Sequence, residues 1–247
     1  MQISYGTGTS RGRVREQNED SFTVIDCRQN GFMVFAVADG MGGMDFGDLA
    51  SKTAVDIVES TFGSCDKNPN TIKNIRESLF SLFNRINIEI INQSNEKESV
   101  AGMGTTMSLC FIENEWVNIA HIGDSRIYLL RGSEVIQLTK DHSYVENLVD
   151  TGRITREQAR NHPDKNIITK ALGIDMEIQA DFCREHLRKG DRLLLCSDGL
   201  TNELDDEEIS RIAGTDETPA SAAGKLLEKA NESGGRDNVT VLLVYID

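Results

Sequence analysis

Acidic residues stand where apolar runs begin or end. Asp39 follows FMVFAVA, Asp124 follows NIAHIG and Asp198 follows RLLLCS; Asp237 stands just before VTVLLVY, and Glu19-Asp20 precedes SFTVI. Taken singly, each is a turn residue whose side chain bonds nearby backbone N–H groups. Taken together they pose an electrostatic problem if these strand ends share one rim. No Lys lies beside each in sequence to pair with it, and like charges that close cannot all stay ionised without a cation among them. Oxygen donors without an accompanying His or Cys cluster point to a hard divalent ion, Mg²⁺ or Mn²⁺, rather than Zn²⁺. The neighbouring glycines suit the same purpose: in Asp39-Gly40, Asp198-Gly199 and Gly234-Gly235-Arg236-Asp237 the missing Cβ leaves room for a backbone carbonyl to approach an ion.

These residues need strands to carry them. Phe32–Ala38, Arg192–Cys196 and Val239–Tyr245 are apolar runs of strand length. Residues 105–138 read as a meander with turns at Glu113-Asn114-Glu115 and Arg131-Gly132-Ser133. Helical signals fall between them. Residues 48–62 read as one helix, and Ile75, Leu79, Leu82, Phe83, Ile86 and Ile90 make the apolar face of a second. Thr218-Pro219 fits an N-cap followed by Pro at the first helical position, and Thr155 with Gln158 fits a capping box for a short helix within 144–165. Antiparallel hairpins with grouped helices, rather than alternating βαβ units, predict an α+β chain: an antiparallel sandwich with helices outside.

Composition narrows the function. No linker, repeat or low-complexity segment divides the 247 residues, so a single domain spanning 1–247 is expected. A net charge of −14 argues against a nucleic-acid binder. No apolar stretch reaches the ~20 residues a membrane span needs, and the N-terminus has no signal core, so a cytoplasmic protein is expected. Five scattered cysteines without a C-x-x-C read as free thiols.

The ordered set Arg15-Glu-Gln-Asn-Glu-Asp20, Asp39-Gly-Met-Gly-Gly43, Gly102-Met-Gly-Thr-Thr106, Gly123-Asp-Ser-Arg126, Ser197-Asp-Gly-Leu200 and Gly235-Arg-Asp-Asn-Val-Thr240 closely resembles the metal-dependent Ser/Thr protein phosphatases of the protein phosphatase 2C (PPM) family, in their bacterial form. The resemblance spans essentially the whole chain. It implies a four-layer αββα sandwich flanked by helix pairs, with two Mn²⁺ or Mg²⁺ ions at one end. It also implies hydrolysis of phosphoserine and phosphothreonine in proteins by a water bridging the ions, opposing a Ser/Thr kinase. By that pattern Asp39 bridges the two ions, the Gly40 carbonyl ligates one, and Asp198 and Asp237 complete the protein ligands. Asp124 would hold a third, weaker ion with Asp198. Glu19, Asp20 and Asn238 would support the ligands and their waters, and Arg15 would grip the phosphate. Residues 141–170 match the family's flap. A monomer acting on phosphorylated proteins is expected, with no nucleic-acid or membrane partner.

One departure stands out. The family places a His either two residues after the bridging Asp or just beyond its glycine pair, and here those positions are Met41 and Met44. A thioether cannot protonate a leaving alkoxide, a role typically worth ~10²–10⁴-fold. An active enzyme weaker on phosphoserine than on aryl phosphates is therefore expected. Two competing readings are a regulatory pseudophosphatase, favoured only by Met44, and a metal-dependent nuclease, disfavoured by the acidic balance. Of the histidines, His121 reads as a sheet residue, and His142 and His162 as structural hydrogen-bonding groups.

Overall fold

The computed structural model describes residues 1–42, 46–65, 74–96, 102–215 and 217–247. Met44 therefore lies outside the described residues. The elements in chain order are β1 (Ile3–Ser10), β2 (Asp20–Cys27), β3 (Phe32–Met41), α1 (Phe46–Phe62), α2 (Ile75–Glu96), β4 (Gly104–Thr105), β5 (Met107–Glu113), β6 (Trp116–Ile122), β7 (Arg126–Arg131), β8 (Glu134–Gln137), α3 (Tyr144–Asp150), α4 (Arg156–Arg160), β9 (Asp181–His186), β10 (Arg192–Cys196), α5 (Asp198–Thr201), α6 (Asp206–Ala213), α7 (Pro219–Ser233) and β11 (Val239–Ile246).

Two antiparallel sheets face each other. One runs β1-β11-β10-β7-β8 and the other β2-β3-β5-β6-β9, with β4 pairing β3. Because side chains alternate along a strand, each sheet has two faces to cover. The facing sides meet in one core layer that includes Phe35, Val37, Ile119, Leu195 and Val244. The outer face of the β3 sheet buries Val34, Ala36, Leu109 and Phe111 beneath α1 and α2. The outer face of the β11 sheet buries Leu194, Val241 and Leu243 beneath α6 and α7. Helix, sheet, sheet and helix thus form four layers, as the sequence implied.

Local signals act where expected. Leu79, Leu82, Phe83, Ile86 and Ile90 are the buried face of α2. Thr155 and Gln158 form a reciprocal capping box, and the Thr218 side chain caps α7 with Pro219 at its start.

Two expectations fail. Residues 105–138 are not one meander. They form two hairpins in different sheets, β5-β6 and β7-β8, and the chain crosses between sheets at Gly123-Asp124-Ser125, where Gly123 turns at φ +109°. Both hairpins have an apolar inner face, so strand pattern alone does not say that they pack against each other rather than side by side. The cysteines are not all free either. Cys27, at the end of β2, is bonded to Cys65, just past α1, with Cα atoms 5.4 Å apart. Cys110, Cys183 and Cys196 remain thiols. A separation of 38 residues gave no hint of that pairing.

Strands β1 and β9 escaped the sequence reading because they are sheet edges with many polar or exposed side chains rather than apolar runs. No helix among the described residues is long and apolar enough to cross a membrane.

The ring of Phe111, fully buried, stacks on Phe32 at 5.2 Å and meets Phe62 at 5.6 Å. Phe111→Ala should cost about 3–5 kcal/mol, read as a lowered midpoint in urea unfolding.

Candidate active site

One pocket of about 210 Å³ opens at a single rim of the sandwich. Its walls include Arg15, Glu19, Asp39, Gly40, Asp124, Asp198, Asp237 and Asn238. Asp39 comes from the end of β3, Asp124 from the crossing after β6, Asp198 from the start of α5 after β10, and Asp237 from the loop before β11. Asp20 lies behind this wall, opposite Asp39 in the β2–β3 register. Among the described residues, no group of three His, Cys, Asp or Glu side chains forms a ready-made ligand cluster; the carboxylates surround a space rather than a point.

The electrostatics match that crowding. Burial, and then the charges of Asp20, Asp198, Asp124 and Asp237, push the Asp39 carboxyl well above the usual range. Burial and then Asp198 do the same to Asp124. Burial raises Asp198 to about 6, with Asp237 adding to it, while hydrogen bonds with Asp39 and Asn202 oppose the shift. Asp20 is raised to about 7 by burial, although its Oδ2 accepts from Ser197 Oγ and Thr240 Oγ1, both at 2.7 Å. Two buried oxygens in this group, Asp20 Oδ1 and Asp124 Oδ1, have no hydrogen-bond partner. Orphaned carboxylate oxygens are costly unless something cationic or hydrogen-bonding meets them.

Backbone and side-chain bonds hold the walls in place. Asn238 accepts the Glu19 N–H at 2.8 Å and donates to the carbonyls of Arg11 and Gln17 at 3.0 and 2.8 Å. It thereby fastens the loop carrying Arg15 and Glu19 beside Asp237. Arg15 Nη2 meets Asp237 Oδ2 at 2.8 Å while its side chain stays half exposed. Gly40 is required by close packing: a Cβ there would stand 1.9 Å from the Gly47 carbonyl oxygen at the start of α1. Thr106 Oγ1 accepts the Asp39 N–H at 2.9 Å.

The flap, 141–170, supplies Asn166 and Ile168 to the pocket wall. Its root is pinned to the sandwich by His142, whose backbone N–H donates to Gly123 O and whose Nδ1 accepts the Gly123 N–H. His121 is buried and bonds Lys140 O and Ser108, and His162 Nδ1 accepts the Asp164 N–H. None of the described residues lining the rim pocket is a histidine, while Met41 is among them. The sequence did not single out Asn166, Ile168, Asn202 or the Ser197–Thr240 pair that holds Asp20. Ser197, inside Ser-Asp-Gly-Leu, and Thr240, at the end of Gly-Arg-Asp-Asn-Val-Thr, stood within recognisable motifs.

A four-layer αββα sandwich with an acidic rim and an arginine at its edge is the architecture of a protein phosphatase. The chain belongs to the protein phosphatase 2C family, which residues 7–228 match. The serine/threonine phosphatase stp of Listeria monocytogenes is 41% identical over 97% of this chain and 94% of its own length. The S. agalactiae serine/threonine phosphatase superposes with a TM-score of 0.93 at 33% identity, covering both chains fully. The catalytic domain of the serine/threonine protein phosphatase PstP, solved with two manganese ions, has a TM-score of 0.87 at 34% identity over 99% of each chain.

Raised carboxyl pKa values make stability depend on pH. Asp20 titrates near 4 unfolded and near 7 folded, so between those values the folded state holds more protons. Without added cations, stability should therefore fall as pH rises from about 4 to 7. Asp20→Asn, which keeps an acceptor for Ser197 and Thr240, should flatten that slope in urea titrations run with chelator.

Proposed function

We propose that this chain hydrolyses phosphoserine and phosphothreonine in proteins, opposing a Ser/Thr kinase, with two Mn²⁺ or Mg²⁺ ions and a weaker third. The observation that carries the reading is the convergence of Asp39, Asp124, Asp198 and Asp237 on one pocket with Arg15 at its edge. The residues fit such ions: the donors are all oxygen, the carboxylates repel one another, and Asp124 Oδ1 is buried without a partner. PstP, a relative bound to two manganese ions, supports the choice.

In this reading Asp39, the Gly40 carbonyl, Asp198 and Asp237 would hold two ions. Asp124 would hold a third, weaker ion with Asp198. Bound there, divalent ions acidify water and draw charge from phosphoryl oxygens. Arg15 presents a planar fork suited to two phosphoryl oxygens, which orients the group for in-line displacement. Asn238 keeps that arginine in place, and Glu19 and Asp20 offer acceptors that orient attacking water. The substrate is a phosphorylated protein and the enzyme acts as a cytoplasmic monomer; the acidic chain disfavours a nucleic-acid substrate.

Phosphate release from a phosphothreonine peptide with Mn²⁺ tests the reading. Chelator should abolish it, and Asp198→Ala should lower it by on the order of 10²-fold or more. Activity surviving either treatment overturns the assignment. Arg15→Ala should raise KM for the peptide about tenfold, the worth of a charge-assisted hydrogen bond.

With no histidine among the described rim residues, leaving-group protonation is weak. Rates should then fall steeply from aryl phosphates to phosphoserine, and Met44→His should raise the phosphoserine rate selectively. Equal gains on both substrates would refute that explanation.

A further inference from the structure

The turn after α5 touches Asp198 and also Arg236, the residue before Asp237, although the two aspartates arrive from different strands. Asn202 Nδ2 donates to Asp198 Oδ2 at 2.8 Å, and the Asn202 N–H donates to the Asp198 carbonyl at 2.7 Å. The next residue, Glu203, reaches the other loop. Its Oε1 accepts the Arg236 backbone N–H at 3.1 Å and Arg236 Nε at 2.9 Å, and its Oε2 accepts Nη2 at 2.9 Å. Arg236 immediately precedes Asp237.

We propose that Asn202 and Glu203 are positioning residues that fix Asp198 and Asp237 relative to each other. The assignment rests on the metal-ligand reading of those two aspartates. Glu203 does not line the rim pocket, and Asn202 lines an adjoining cavity that shares Asp124 and Asp198 with it.

The geometry of the Glu203–Arg236 link is that of a restraint on the loop. The Glu203 side chain is 2% exposed, whereas that of Arg236 is 69% exposed. The bonds to Arg236 outweigh the cost of burying Glu203, so the link is a firm one. It is an effective route to fixing a loop. Arg236 is held by its backbone and its guanidinium to one carboxylate, so neither can rotate alone. That restraint follows Gly234-Gly235, the most freely rotating pair in the loop, and Glu203 packs so near that a Cβ on Gly234 would meet its Oε2 at 2.7 Å. Asn202 acts on the partner ligand: by occupying Oδ2 it sets the rotation of the Asp198 carboxylate and which oxygen faces the pocket. One dipeptide therefore bonds one aspartate directly and the residue before the other, and the spacing of the two decides whether they can share ions.

The test uses the full chain and Mn²⁺ alone. Titration calorimetry should show Mn²⁺ binding about tenfold weaker in Glu203→Gln and in Asn202→Ala, the lower end of the range for residues that orient ligands. At saturating Mn²⁺, kcat should return to within about threefold of wild type. Glu203→Gln combined with Arg236→Lys should bind no more weakly than either single variant, because both break the same link. Arg236→Lys alone keeps the charge but not the fork, and serves if Glu203→Gln does not fold. Unchanged Mn²⁺ affinity with only a lower melting temperature would show a fold clamp and overturn the assignment. Wild type that binds no Mn²⁺ would instead overturn the metal reading, and this assignment with it.

Discussion

Repulsion among carboxylates buried at one rim is the constraint around which this molecule is arranged. Asp20, Asp39, Asp124 and Asp198 each have their ionised form disfavoured by burial and by one another. No chain would gather such groups for stability, because desolvated like charges cost more than any packing they permit. Their presence is therefore chemical in origin, and much of the surrounding polar structure holds them against the tendency to separate. Hydroxyls of Ser197 and Thr240 reach Asp20 from the opposite sheet, and the side chain of Asn238 ties three backbone groups of the N-terminal loop.

Rigid sheets make this possible. The register that sets Asp20 against Asp39 is the register that buries Phe35 and Val37 between the sheets, so a one-residue slip would disturb core and site together. The crossing at Gly123–Ser125 moves the chain from one sheet to the other and leaves Asp124 facing the gap between them. Arg126, beyond that crossing, pairs with Asp141 at 2.6 Å, and His142 bonds Gly123 through its backbone and ring. The flap is thus rooted in the same few residues that place Asp124.

Phosphatase chemistry follows from this frame with few additional parts. The arginine at the edge is chemically suited to an anion, and the acidic walls repel one unless cations intervene. Charge alone would then couple anion recognition in this pocket to cation binding. Two flap residues, Asn166 and Ile168, line the same pocket.

Much of the fold and site was legible before any coordinates. Apolar runs marked the central strands, helical spacing marked α2, and Asp39, Asp124, Asp198 and Asp237 could be picked out because each breaks an apolar run at its end. Such signals are local, carried by residues within a few positions of each other. The edge strands β1 and β9 lacked an apolar run, the Cys27–Cys65 bond joined distant segments, and the split of one apparent meander into two facing hairpins depended on how apolar faces pair in space. Asn202 and Glu203 belong with these, since ordinary polar residues in a turn reveal their role only through what lies opposite. Sequence determined which side chains could do chemistry and which strands would carry them. Packing of the two sheets decided that the carboxylates meet, because only burial against a second sheet brings strand ends from remote segments to one rim.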